Sequence, residues 1–158
     1  MTKPDYVYVT YIATTPEKVW QAVTDPEVTR TYWIGRADAP ARVNVSDWKV
    51  GSRWEHQRDD ETHIVDIAGT VLESTPPRRL VMTWARPNEF DDETTHSRVT
   101  FEIEPQGDGV IRLTVTHDDL AKDPKMLASV SGGWPRVLSN LKSLLEMGHA
   151  LQPPRSAP

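Results

Sequence analysis

Hydrophobic and polar residues alternate along several stretches of the chain, and this period of two predicts β-strands. In the clearest stretch, residues 97–104, Val99, Phe101 and Ile103 alternate with polar side chains. Short turns separate consecutive stretches, so we predict a curved antiparallel sheet of about six to seven strands with one covered face. The predicted strands span residues 6–13, 42–46, 52–57, 63–73, 80–84, 97–104 and 110–116.

A period close to 3.6 predicts helices elsewhere. Thr15 before Pro16 and Asp25 before Pro26 are capping residues followed by proline, so two short helices should follow the first strand. Residues 127–151 predict a long amphipathic C-terminal helix, with Pro135 causing a kink or a late start near Trp134. Its apolar stripe comprises Val130, Trp134, Val137, Leu138, Leu141, Leu144, Leu145 and Gly148.

Together these elements predict one α+β domain over residues 1–151, with a disordered tail at residues 152–158. The absence of cysteine excludes disulfides and favours the cytoplasm. No apolar run approaches the ~20 residues of a membrane-spanning helix, and the first residues do not resemble a signal peptide. A net charge of −5 with scattered basic residues argues against nucleic-acid binding.

Strand parity places one set of side chains on the face that the long helix covers. If a cavity separates the helix from the sheet, these side chains would line it, and a small hydrophobic or aromatic molecule would bind there. The alternative is a solid core without a cavity. The predicted ligand-binding residues are Trp33, Trp54, His56, His63, Val65, Ile67, Met82, Trp84, Val99, Phe101, Val115, His117, Trp134 and Leu138.

Three of these residues are histidines, which titrate near neutral pH. They form either a proton-transfer cluster or, as we favour, separate hydrogen-bonded groups. His117 and His56 are the candidate catalytic residues, and we expect His117 near the pocket mouth because it ends an apolar strand. The chain carries no recognisable nucleophile triad, nucleotide loop or metal-ligand spacing, so we predict no cofactor and no metal, and we favour a role other than catalysis.

Particular segments resemble a known family. Residues 12–20 (IATTPEKVW), the Thr24-Asp25-Pro26 turn, residues 69–73 with 76–80, Thr83-Trp84 and the helix from Gly133-Trp134 to Glu146 are similar to the SRPBCC superfamily. Within it, they resemble proteins like the C-terminal domain of the activator of Hsp90 ATPase. The resemblance covers about residues 5–150.

This resemblance implies a helix-grip fold, also called START-like or Bet v 1-like, with a cavity between sheet and helix that takes apolar or polycyclic ligands. It does not imply a single activity. Three functions therefore stay open: a non-enzymatic binding protein for a small hydrophobic or aromatic ligand, a polyketide cyclase or hydrolase-type enzyme using the pocket histidines, and a module that interacts with a chaperone or regulator.

Overall fold

The strands form one curled antiparallel sheet. A computed structural model describes residues 5–35 and 38–151. The seven strands follow the order β1-β7-β6-β5-β4-β3-β2, in which β1 and β2 are the two edges. Their bounds are β1 Tyr6–Ile12, β2 Arg42–Ser46, β3 Arg53–Arg58, β4 Val65–Thr75, β5 Arg79–Trp84, β6 Ser97–Gly107 and β7 Val110–Asp118. The predicted strand number and antiparallel pairing are confirmed.

Three α-helices accompany this sheet in the described residues. Helices α1 (Pro16–Thr24) and α2 (Pro26–Tyr32) follow β1, and α3 (Pro124–Met147) follows β7. The Thr15 hydroxyl and the Asp25 carboxylate accept hydrogen bonds from the first turns of α1 and α2, as their sequence signals predict. Short 3₁₀ helices, Pro87–Glu89 and Glu93–Thr95, lie in the β5–β6 connection.

The hydrophobic core lies between the concave face of the sheet and the three helices. Val99, Leu113 and Val115 of the sheet are fully buried in the same cluster as Leu138 and Leu141 of α3. The predicted helix-grip architecture is therefore confirmed. None of the helices in the described residues is both long and apolar enough to span a membrane. The predicted tail at residues 152–158 lies outside the described residues.

Of the two effects expected of Pro135, a kink or a late start of the C-terminal helix, the late start near Trp134 is wrong. Helix α3 begins at Pro124 and continues through Pro135 to Met147. Its start follows the same rule as α1 and α2, because the Asp123 side chain accepts a hydrogen bond from the Met126 N–H and proline follows at once. Gly148 ends the helix with a φ of 88°, a left-handed conformation that glycine adopts without steric cost.

The predicted start of β4 at residue 63 is also wrong. The strand begins at Val65, and His63 lies in the β3–β4 turn with a φ of 49°. This left-handed conformation breaks the alternation that the sequence pattern assumes. Consequently the side chain of His63 is exposed instead of facing the helix.

Gly69 allows two strands to enclose the indole of Trp54. A Cβ on Gly69 would lie 1.9 Å from the Thr83 carbonyl oxygen and 2.4 Å from Nε1 of Trp54. That indole donates a hydrogen bond of 2.7 Å to the same carbonyl. Trp54 is therefore fixed inside the core, and its indole N–H already has a hydrogen-bond partner within the protein.

Candidate functional site

A cavity of about 550 Å³ opens beneath the N-terminal half of α3. It lies at the end of the sheet where β4 begins and β5 ends. Its volume falls within the range of about 300–1,000 Å³ that small-molecule pockets occupy. The cavity is lined by Trp33, Arg42, His56, Val65, Asp66, Ile67, Trp84, Arg86, Pro87, Asn88, Met126, Ser129, Val130, Gly133, Trp134 and Val137.

Aromatic rings form the inner wall. Trp33 ends α2, Trp84 ends β5 and Trp134 projects from α3, so three separate elements supply the indoles. The ring centroid of Trp134 lies 5.5 Å from that of Trp33 and 5.7 Å from that of Trp84. Edge and tilted contacts of this kind are favourable arrangements for aromatic groups. The wall therefore offers flat apolar surfaces to a planar ligand.

His56 is the most deeply placed polar side chain of the cavity lining. Its Nδ1 lies 2.6 Å from Oδ1 of Asn44, its cross-strand partner on β2. Burial lowers the pKa of the His56 imidazole to about 3. The positive charge of Arg42 also lowers this pKa, whereas the negative charge of Asp66 raises it by a smaller amount. His56 is thus a neutral ring at neutral pH and a poor general base.

His117 lies behind the aromatic wall and does not border the cavity. The indole N–H of Trp134 donates to Nδ1 at 3.2 Å, which places the ring proton on Nε2. Nε2 is 2.8 Å from the Ser97 hydroxyl, which in turn donates to the Trp84 carbonyl. Burial lowers the pKa of His117 to about 4. Both ring nitrogens are therefore occupied by the fold, and the expectation of a position near the pocket mouth is wrong.

Charged side chains surround the mouth in two groups. Asp66 accepts hydrogen bonds from Arg58 at 2.9 Å and pairs with Arg42 at 2.9 Å. Arg86 pairs with Asp123 and, at 3.6 Å, with Glu89. The hydrogen bond from Arg58 and the charges of both arginines lower the pKa of the Asp66 carboxyl, and they outweigh its burial. These pairs leave the inner wall uncharged while the mouth is polar.

Nothing in this arrangement resembles a metal centre. Within the described residues, no three histidine, aspartate or glutamate side chains are placed to hold a metal ion. Four buried side-chain atoms lack hydrogen-bond partners in the described residues, and two of them, Nε1 of Trp84 and Nδ2 of Asn44, belong to the cavity wall and to the residue that holds His56. An unpaired buried donor costs about 1–3 kcal/mol, so such groups mark places where a bound molecule adds a missing hydrogen bond.

The structure brings six of the predicted binding residues to the cavity. They are Trp33, His56, Val65, Ile67, Trp84 and Trp134. Parity identified the face of the four strand residues among them correctly, because the pleat fixes which side chains face the helix. The tertiary structure then decides which residues on that face are left uncovered.

The other predicted residues lie elsewhere. Those in the core are Trp54, Met82, Val99, Phe101, Val115, His117 and Leu138, and each is almost fully buried away from the cavity lining. His63 lies in an exposed turn. The core residues face the helix as expected, but the side chains of α3 and the aromatic wall cover them. They therefore do not line this cavity, and their role in ligand binding stays a prediction.

Sequence reasoning missed the polar residues of the mouth. Arg42 lies two residues before Asn44 on β2, so both side chains point to the same face of the sheet. Applying the alternation to β2 as well would therefore have identified Arg42. Asp66 lies between Val65 and Ile67, so simple alternation places its side chain on the opposite face. A shift in the pairing between β3 and β4 next to His56, together with two arginine partners, brings it to the cavity instead. The sequence contains no signal for that shift.

Comparisons with known proteins agree with this architecture. The family model described as Activator of Hsp90 ATPase homolog 1-like protein matches residues 13–146. That span is most of the chain, so the chain belongs to this family, and the resemblance seen in the sequence is confirmed. No curated protein matches the chain in sequence.

Solved structures share the fold at low identity. An HSP90 activator from Plasmodium falciparum is 20% identical with a TM-score of 0.68, covering 89% of this chain and 94% of that one. The Aha1 dimer from Colwellia psychrerythraea is 19% identical with a TM-score of 0.68, covering 90% and 96%. CalU16 from Micromonospora echinospora is 21% identical with a TM-score of 0.64, covering 87% and 71%. At these identities the likeness shows the fold alone.

Proposed function

We propose that this member of the family binds a small aromatic or hydrophobic molecule in the cavity beneath α3. The observation that carries the proposal is a space of about 550 Å³ whose inner wall consists of Trp33, Trp84, Trp134 and His56. Small-molecule sites are mostly apolar concavities with a few polar groups, and this lining has that character. Burial of a flat ligand among indoles would supply most of the binding free energy.

Catalysis by the pocket histidines has weaker support. His117 is enclosed and uses both ring nitrogens within the fold. His56 borders the cavity, but a pKa of about 3 makes it a weak base at neutral pH. A binding role needs neither histidine to exchange a proton, which is why we favour it over a cyclase or hydrolase-type reaction.

A protein partner is the second candidate, favoured by the family match and by the likeness to an HSP90 activator. The test is the ATPase rate of purified Hsp90 with and without this chain. A reproducible increase would support a role as regulator. An unchanged rate together with tight binding of a small molecule would leave the binding role as the better account.

The binding test uses a variant that fills the cavity. Gly133 lines the cavity and a Cβ there meets no atom within 4 Å, so leucine at this position enters the space without displacing the backbone. We expect Gly133→Leu to abolish binding of anilinonaphthalene sulfonate and of naphthol, followed by fluorescence and calorimetry. Its stability should stay equal or rise by about 0.5–1 kcal/mol, because glycine disfavours helices.

Gly132→Leu is the matched control. Gly132 is the preceding residue of the same helix, is exposed, lies outside the cavity lining and also has no atom within 4 Å of an added Cβ. Its variant should bind both probes like the original chain. Binding that survives Gly133→Leu, or probes that fail to bind the original chain at all, would contradict the proposal.

A further inference from the structure

We propose that the cavity selects aromatic molecules carrying a hydroxyl group, and that Nε2 of His56 accepts the hydrogen bond from that hydroxyl. This inference rests on the proposed function and adds the chemical class of the ligand. It follows from the position of His56, from the group that holds its other nitrogen, and from the donor on the neighbouring tryptophan.

The hydrogen bond to Asn44 determines which nitrogen of His56 carries the proton. Asn44 is fully buried, and its backbone N–H donates to the Thr29 hydroxyl at 3.3 Å, which helps hold the residue in place. Its Oδ1 accepts only, so the 2.6 Å contact requires a proton on Nδ1 of His56. In a neutral ring Nε2 is then an unprotonated acceptor.

This acceptor lacks a partner in the described part of the chain, although only 7% of the His56 surface is exposed. His56 belongs to the cavity lining. An acceptor that borders a largely apolar cavity is a specific contact for a bound molecule, and a ligand that supplies an O–H group at this position can donate to it. Because burial and Arg42 keep the ring neutral, Nε2 stays an acceptor throughout the physiological pH range.

The indole of Trp84 favours a hydroxyl over other donors. Its N–H is buried without a hydrogen-bond partner in the described residues, and its ring centroid is 6.0 Å from that of His56. A hydroxyl that donates to Nε2 keeps two oxygen lone pairs that suit such a donor. A methyl group or an ammonium group has no lone pair to accept from it.

The surrounding rings favour an aromatic carrier for this hydroxyl. Trp33 meets His56 edge-on at 4.9 Å and meets Trp134 at 5.5 Å. Aromatic ligands extend such edge-on and offset contacts, whereas flexible chains lose rotamer entropy when they bind. A fused-ring phenol such as naphthol satisfies both the apolar wall and His56.

The experiment compares three probes of nearly the same shape by calorimetry on the full chain. Naphthol donates and accepts a hydrogen bond, methoxynaphthalene only accepts, and methylnaphthalene does neither. We expect naphthol to bind about tenfold more tightly than either analogue, the worth of one hydrogen bond of about 1.4 kcal/mol. In His56→Leu this preference should disappear while methylnaphthalene still binds.

Two further measurements keep the test independent of the stability of that variant. His63→Asn removes an exposed histidine of the β3–β4 turn and is the control for His56→Leu. Asparagine tolerates the φ of 49° at this position, so the variant should still prefer naphthol over its analogues. In the original chain, the nitrogen NMR signal of the His56 ring should shift with naphthol and stay unchanged with methylnaphthalene.

The outcomes separate this inference from the proposed function. Equal affinity for naphthol and methylnaphthalene would overturn the inference and leave the aromatic binding site intact. Methoxynaphthalene binding as tightly as naphthol would also overturn it, because the site would then donate the hydrogen bond. Failure of all three probes to bind would overturn both proposals.

Discussion

The two halves of α3 differ sharply in how they meet the sheet. In residues 124–133 only Val130 is buried, whereas residues 134–147 bury Trp134, Val137, Leu138 and Leu141 among others. The first half contains Ser129, Gly132 and Gly133 and borders the cavity. The second half carries leucines that reach the concave face and fill the space.

This contrast shows that the cavity arises from a shortage of side-chain volume in one half of a continuous helix. Protein interiors are close-packed, so small residues opposite a curved sheet leave a space unless other side chains fill it. Trp134 stands at the junction and contacts Phe101, Trp84 and His117. The C-terminal half therefore holds the fold together, while the N-terminal half leaves room for a ligand.

The largest expected effect is a difference in stability between leucine-to-alanine substitutions in the two halves of α3. Leu141→Ala in the packed half should lower the free energy of unfolding by about 4 kcal/mol, because Leu141 is fully buried and its removal leaves a void. Leu127→Ala in the open half should cost about 1 kcal/mol, since Leu127 is only partly buried. Urea denaturation of both variants measures this. Equal losses would contradict the division into two halves.

The buried histidines should make stability depend on pH. Both have an unperturbed pKa of 6.5, lowered by burial to about 3 in His56 and about 4 in His117. Below pH 6.5 the unfolded chain therefore binds more protons than the folded chain, so stability is full above 6.5 and falls toward pH 4. Each histidine should lower the free energy of unfolding by roughly 2 kcal/mol as the pH falls from about 7 to about 5.

Denaturation series across this range measure the loss. His56→Gln should remove about half of it, whereas the carboxyl of Asp66 contributes at lower pH because its pKa lies below 3.8. A free energy of unfolding that stays constant from about pH 7 to pH 5 in the original chain would show that water reaches both rings.

The smallest expected effect concerns the end of the packed half. Glu146 accepts a hydrogen bond from the Ala13 N–H at 2.9 Å and pairs with Lys142 at 2.7 Å, while Lys142 donates to the Tyr11 carbonyl at 2.5 Å. These two side chains thus bond backbone groups beside edge strand β1. Glu146→Ala should cost about 0.5–1 kcal/mol, less at high salt, because the pair is exposed.

Met147→Ala is the control for this prediction. Met147 is the next residue of the helix, is 69% exposed and should change stability by less than about 0.5 kcal/mol. Thermal unfolding at low and high salt distinguishes the two variants. Identical behaviour of both would mean that the pair adds nothing to the packing of α3 against β1.

Much of the fold could be predicted from residues that act locally. Alternation in β6 and β7 and the proline-containing helix starts needed no knowledge of distant residues. The candidate site was predictable only in part. Trp84 and His56 lie on the predicted face and border the cavity, but Met82 and Val99 lie on the same face and are covered. Parity identifies a face of the sheet and does not identify what lies above it.

The sequence alone determined the order of strands and helices, the covered face of the sheet and the apolar stripe of α3. These depend on periodicity, capping and turn residues, which act over a few positions. Only the tertiary structure decided where the cavity lies, that Trp134 encloses His117, and that Arg42 and Asp66 border the mouth. The reason is that volume, burial and charge pairing depend on side chains that meet from distant parts of the chain.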